Sequence, residues 1–67
     1  MSEIVALSDG FLWYFICTRQ MAEAFGWRQG LEIGPYRTEK EALRRGKHAQ
    51  ADAVAVLLKK DASVYVG

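Results

Sequence analysis

The sequence predicts a small α+β domain: an antiparallel sheet of four or five strands with one principal α-helix packed on one face, in the order β-β-β-α-β(-β). Two runs of β-favouring residues flank an Asp-Gly turn, a capping box opens a helix in mid-chain, and that helix has one side of small apolar residues. A chain of 67 residues has room for one hydrophobic core. We therefore expect a single small domain over residues 1–67.

A hairpin forms the first predicted element. Its arms are Ile4 to Leu7 and Phe11 to Thr18. Asp9-Gly10 lies between them and suits a tight turn, because glycine adopts a positive φ without steric cost. The second arm carries large side chains at odd and even positions, which point to opposite faces of a strand. We expect this strand to be central or to face a partner.

Residues 19–26 have a helix-forming composition but are too few to form a stable helix alone, so a loop or one helical turn is predicted there. In residues 27–33 apolar positions recur at even spacing with polar residues between them, which predicts a half-buried strand. Gly34-Pro35 is expected to end that strand, because proline cannot donate to a sheet ladder.

Thr38 and Glu41 predict where the principal helix begins. The Thr38 hydroxyl can accept a hydrogen bond from the Glu41 amide, while the Glu41 carboxylate reaches back to the Thr38 amide. On a helical wheel, small and apolar residues then share the side that would pack on the sheet. These residues are Ala42, Leu43, Gly46, Ala49 and Ala53.

The end of this helix has two alternatives. In one, it ends near Gln50, and residues 53–58 form a strand that pairs with residues 63–66. In the other, it continues to about Lys60. The β-branched residues and the loss of helical amphipathicity after Ala53 favour the strand.

The sequence predicts no catalytic residue, no metal site and no cofactor. Zinc sites need three or four ligands, whereas the chain has one histidine, His48, and one cysteine, Cys17. Cys17 follows six apolar residues in a predicted strand, where a small buried hydrophobe is expected rather than a nucleophile. The carboxylates are scattered, and none stands out as an acid-base pair. We therefore expect a protein that is not an enzyme.

An apolar sheet surface is the main candidate site. One helix covers only one face of a sheet, so strands that are apolar on both faces leave a face for a partner, unless residues 19–26 fold over it. The exposed patch would include either Phe11, Trp13 and Phe15 or Leu12, Tyr14 and Ile16. Aromatic residues are frequent anchors of interfaces. The partner would be another protein or a second copy in a homodimer. The candidate interface residues are Trp13, Tyr14, Phe15, Phe25 and Trp27.

A basic stripe on the helix is the alternative site. It would contact nucleic acid phosphates or an acidic partner. The other interpretation is a solvated helix face, helped by a Glu41–Arg45 pair at i,i+4. The net charge of +1 supplies no overall field that would attract nucleic acid. The stripe consists of Arg37, Lys40, Arg44 and Lys47.

These observations favour a non-enzymatic protein-binding module of the inhibitor or adaptor type, with a small nucleic-acid-binding protein as the alternative. In size and in its lack of active-site residues, the chain resembles small accessory and inhibitor proteins of phages and mobile elements. Residues 34–42 resemble the junction of strand, proline and capped helix in many small α+β domains, including peptidoglycan-binding SPOR domains. The single Cys17, the absence of a signal-peptide pattern and the short apolar runs lead us to expect a cytoplasmic protein without a membrane span.

Overall fold

The computed structural model describes residues 3–66, with side chains described as far as residue 60. In chain order the elements are β1 (Ala6–Ser8), β2 (Trp13–Ile16), α1 (Arg19–Phe25), β3 (Glu32–Tyr36) and α2 (Glu39–Val66). The strands form one antiparallel sheet in the order β1-β2-β3. The α+β class is confirmed, with three strands within residues 3–66 instead of the four or five predicted.

The predicted hairpin is formed by β1 and β2, with Leu7 opposite Tyr14. The tight turn closes around Gly10 and Phe11, one residue later than the predicted Asp9-Gly10, because the Asp9 amide donates to the Leu12 carbonyl at 3.2 Å. The Asp9 carboxylate accepts hydrogen bonds from the backbone amides of Phe11 and Leu12, at 2.9 and 2.8 Å. Gly10 has a φ of 102°, which supplies the left-handed residue that the loop needs. The Asp9 side chain therefore accepts from the Leu12 amide in place of the second backbone bond across the turn.

The third strand is shifted from its predicted position to Glu32–Tyr36, so Gly34-Pro35 lies inside it instead of ending it. β3 is an edge strand, where a missing amide donor is tolerated. One residue of β2, Tyr14, lies opposite the pair Gly34-Pro35, which makes a β-bulge. A Cβ on Gly34 would stand 2.9 Å from the Trp13 carbonyl oxygen, so this position requires glycine.

Residues 19–26, predicted as a loop or a single turn, form the seven-residue helix α1. Thr18 caps it by accepting from the Met21 amide at 3.2 Å, and Gly26 ends it with a φ of 72°. Met21 is fully buried against the core. Two caps and tertiary burial stabilise a helix that is too short to form alone.

The predicted start of the principal helix is confirmed: the Thr38 hydroxyl accepts from the Glu41 amide at 3.1 Å. The Glu41 carboxylate lies 4.0 Å from Arg45, as the i,i+4 pair predicted. The favoured end near Gln50 is wrong, because α2 runs on to Val66, beyond the alternative end at Lys60. No glycine or proline interrupts the chain between Gly46 and Gly67, so nothing stops the helix where a strand was predicted.

Gly46 lies where α2 meets the sheet. A Cβ on Gly46 would contact Ile4 and would stand 3.1 Å from Phe15. Ala42 and Ala53, on the same side of α2, are fully buried. The predicted side therefore packs on the sheet and core at Ala42, Gly46, Ala49 and Ala53, whereas Leu43 is only half-buried and lies outside this contact.

Candidate interaction surfaces

Both helices lie on the same side of the sheet. Phe15 of β2 is buried at 2% exposure and meets α2 at Gly46. α2 contacts all three strands, and α1 packs mainly against α2. Because neighbouring residues on a strand point to opposite faces, the other face of the sheet bears the side chains that alternate with Phe15. We call this other face the open face.

Four apolar side chains, from β1, the residue before it and β2, make up the centre of the open face. Leu7 of β1 is the register partner of Tyr14 of β2. Val5 lies beside Ile16, whose amide donates to the Val5 carbonyl at 3.0 Å. Val5 and Leu7 are 51% and 46% exposed, while Tyr14 and Ile16 are half-buried. Glu32 of β3, the partner of Ile16, adds a carboxylate at the border.

The phenol of Tyr14 is held in place on the open face. It donates a hydrogen bond to Asp9 at 3.1 Å. This bond raises the pKa of Tyr14 above its usual value, because the neutral phenol is the form that donates to the carboxylate. The backbone amides of Leu12 and Phe11 are the main cause that lowers the pKa of Asp9. The ring of Tyr14 therefore has a defined position over the hairpin loop.

The five aromatic residues predicted as an interface do not share one surface. Phe15 belongs to the core and Trp13 lies on the same face of β2, so neither is on the open face. Phe25 and Trp27 pack together with ring centroids 4.8 Å apart, at the end of α1. Tyr14 alone of the five lies on the open face.

Val5 and Leu7 are the open-face residues that sequence reasoning missed. Their signal was present: in the run Ile4 to Leu7, alternate residues point to opposite faces of a hairpin arm. The prediction chose residues of β2 instead, because that strand contains several aromatic residues. The correct face follows once Phe15 is known to contact the helix.

The predicted basic residues are exposed: Arg37 just before α2, and Lys40, Arg44 and Lys47 along it. The ion pairs between described side chains are Arg19–Glu23 and Glu41–Arg45. Neither of them uses a residue of the stripe. The stripe is mixed with apolar side chains, however, because Leu43 lies between Lys40 and Lys47 on the same side of the helix.

A groove of about 750 Å³ runs between the N-terminal segment and α2. Ile4, Leu43, Ala51 and Val54 line its apolar part, and Lys47 is the cation beside them. Further along α2, Val54, Val56 and Leu58 are 40%, 40% and 65% exposed. Because residues 53–58 were predicted as a strand, this groove was not predicted.

Among residues 3–60, few side chains could act as a nucleophile or as metal ligands. Cys17 is 1% exposed, and burial raises the pKa of its thiol, so the protonated form dominates at neutral pH. Within the same residues, no three His, Cys, Asp or Glu side chains come together as a metal site would require. The described part of the chain also contains no helix with the length and apolar character needed to cross a membrane.

Comparison of the chain with protein-family models, with curated proteins and with solved structures finds no match. The candidate surfaces therefore rest on the geometry of this chain alone.

Proposed function

We propose that this protein is a non-enzymatic binding module that docks on another protein through its open face, as an inhibitor or adaptor does. The support is the placement of both helices on one side of the sheet, which leaves Val5 and Leu7 about half exposed beside Tyr14 and Ile16. Contiguous exposed apolar patches are typical of interaction surfaces. The fixed phenol of Tyr14 supplies an aromatic anchor with a polar tip, which interfaces favour.

Two further features suit this proposal. Glu32 at the border provides a charge that can select the orientation of a partner without being desolvated at the centre. Cys17 is a buried free thiol, so the fold uses no disulfide of its own and suits a reducing compartment such as the cytoplasm.

Site-specific photo-crosslinking in living cells tests the proposal. A photoreactive phenylalanine analogue placed at Leu7 should give a discrete adduct with another protein, and Val5→Lys should abolish it. The same analogue at Val56, equally exposed but on α2, is the matched control and should not give that adduct. Adducts of equal yield at both positions, or an adduct at Leu7 that Val5→Lys leaves unchanged, would refute the proposal.

Nucleic acid binding is the second candidate. It is favoured by the exposed cations of the stripe, which the two ion pairs leave unused. A salt titration with duplex and single-stranded nucleic acid tests it, because each phosphate contact steepens the dependence of affinity on salt. Lys40→Glu with Arg44→Glu should flatten that slope; no binding at low salt excludes this candidate.

A further inference from the structure

Helix α2 extends well beyond the sheet on which it packs. Among its described side chains, Ala53 is the last that is fully buried, yet the helix continues to Val66. At 1.5 Å per residue, this extension is about 20 Å long. Among the side chains of α2 that are described, as far as residue 60, Leu58 is the most exposed large apolar one, at 65%. A helix with such a side chain in water is incompletely packed.

The groove and Leu58 stand in a simple geometric relation. Leu43 in the groove lies eight residues before Ala51, and Leu58 lies seven residues after it. These separations are roughly 12 and 10.5 Å along the helix axis. The three residues also lie within about 80° of one another around the axis. Leu58 and Leu43 of the groove are therefore almost equally distant from Ala51, and all three residues lie on one side of α2.

We propose that the chain forms a homodimer in which two α2 helices pair antiparallel about a two-fold axis near Ala51. The axis places Leu58 of each copy in the groove of the other, beside Leu43 and Lys47. A two-fold interface uses the same patch twice, so both exposed leucines are covered at once. Ala51 at the crossing point allows the helices to approach to the usual 8–10 Å or so.

The charges of α2 are compatible with this pairing. With the axis at Ala51, Lys47 lies opposite Ala55 of the other copy, and Arg44 lies opposite Leu58. No two cations meet at these positions, and the aliphatic parts of both basic side chains cover apolar surface. A nucleic acid on the stripe would instead meet Leu43 between Lys40 and Lys47 and would offer it no apolar partner.

The small core explains why a second copy is the expected occupant of the groove. Five apolar residues are fully buried among the described side chains, and two of these are the alanines Ala42 and Ala53. Domains of this size commonly need a disulfide, a metal or self-association for stability. A single cysteine excludes an internal disulfide. Burial of Leu58 against an identical chain, which is present in equal amount, would add apolar contact that this small core lacks.

The dimer goes beyond the proposed function and does not rest on it. α2 lies on the side of the sheet opposite the open face, so both open faces stay accessible and the dimer would be bivalent. Loss of the dimer and loss of open-face binding are separable, because Leu58 and Leu7 lie on different surfaces.

Sedimentation of the full chain over a wide concentration range tests the dimer. We expect the mass of two chains for the natural sequence and of one chain for Leu58→Glu, a twofold fall. Val56→Glu is the matched control: its side chain points about 160° away from that of Leu58, and the dimer should persist. A monomer at every concentration, or a dimer that Leu58→Glu leaves intact, overturns the proposal.

Oxidative crosslinking gives an independent readout that does not depend on the folding of a charged variant. Ala51→Cys should form a disulfide-linked dimer with unchanged helix content, because the two thiols meet near the axis. Val56→Cys, on the other side of the helix, should stay uncrosslinked under the same conditions. Natural Cys17 is buried and does not interfere. Failure of Ala51→Cys to crosslink, or equal crosslinking at Val56→Cys, contradicts the antiparallel arrangement.

Discussion

Gly46 of α2 lies directly against Phe15 of β2: a Cβ at Gly46 would stand 3.1 Å from both Cβ and Cγ of Phe15. Such a separation is tighter than ordinary packing, and the base of an aromatic side chain has little freedom to move. Ile4 closes the site from β1's side. The absence of a side chain at Gly46 therefore allows α2 to lie this close to the sheet.

Gly46→Ala should destabilise the protein although alanine is the better helix former. Overpacking costs about 1–3 kcal/mol, and the gain in helix propensity of about 1 kcal/mol offsets only part of it. We expect a lower denaturant midpoint with an unchanged slope. The variant Ile4→Ala should relieve the clash, so the double variant should lose less stability than the sum of the two single changes. A stabilised Gly46→Ala would contradict this packing.

Thr18→Val should cost more stability than Thr38→Val, although both threonines cap a helix. Each hydroxyl accepts from the backbone amide three residues further along the chain, Met21 or Glu41, and losing a cap costs about 0.5–2 kcal/mol. Thr18 alone also donates to Gln50 of α2, which ties α1 to the long helix. Chemical denaturation of both variants measures the difference, and equal losses would show that the Thr18–Gln50 bond contributes nothing.

Asp9 should make the stability of the folded protein depend on pH in the acid range. Its pKa is lowered from 3.8, chiefly by the amides of Leu12 and Phe11, so the ionised form is favoured in the folded state. This stabilisation is present above pH 3.8 and is lost as the pH falls through the lower folded pKa. Unfolding at a series of pH values measures it. Asp9→Asn should remove this part of the acid dependence; an unchanged profile would contradict the assignment.

Tyr14 should titrate above its ordinary pKa of 10.0, since its hydrogen bond to Asp9 favours the neutral phenol. The contribution to stability is present below pH 10 and is lost as the pH rises through the folded pKa. Ultraviolet titration of the phenolate gives the value directly, with Tyr36 and Tyr65 replaced by phenylalanine to isolate the signal. In Asp9→Asn the titration should move back toward 10.0, and no movement would exclude the bond as the cause.

Cys17 should not react with a thiol reagent in the folded protein at neutral pH. Its side chain is buried, and desolvation raises the pKa of the thiol, so little thiolate is available. Reaction with an aromatic disulfide reagent should be complete only in denaturant. A Val56→Cys variant, exposed on α2 and outside the proposed dimer interface, provides the fast-reacting comparison. Reaction of native Cys17 at the rate of that comparison would contradict its burial.

Local patterns in the sequence predicted several elements correctly. The hairpin, the Thr38 cap, the Glu41–Arg45 pair and the small-residue side of α2 each depend on residues close together in the chain. Capping, i,i+4 pairing and helical periodicity act over such short separations. The α+β class follows from these elements.

Two of the errors came from interactions between distant residues. α1 was underestimated because Met21 gains its burial from α2 and β2, which no local window contains. Pro35 was expected to end a strand, but its place at a sheet edge depends on the strand order. The error at residues 53–58 was local instead: the predicted strand gave more weight to β-branched residues than to the absence of glycine and proline between residues 47 and 66.

By itself, the sequence determined the hairpin, the start of the long helix and the small residues with which that helix packs on the sheet. Only the tertiary structure decided which face of β2 is covered, and therefore that Val5, Leu7, Tyr14 and Ile16 make up the open face. The physical reason is that β2 has apolar residues on both faces, so its sequence does not distinguish the face that is covered from the face that is exposed. Contact with Gly46 makes that distinction, and this contact joins residues 31 positions apart, Phe15 and Gly46.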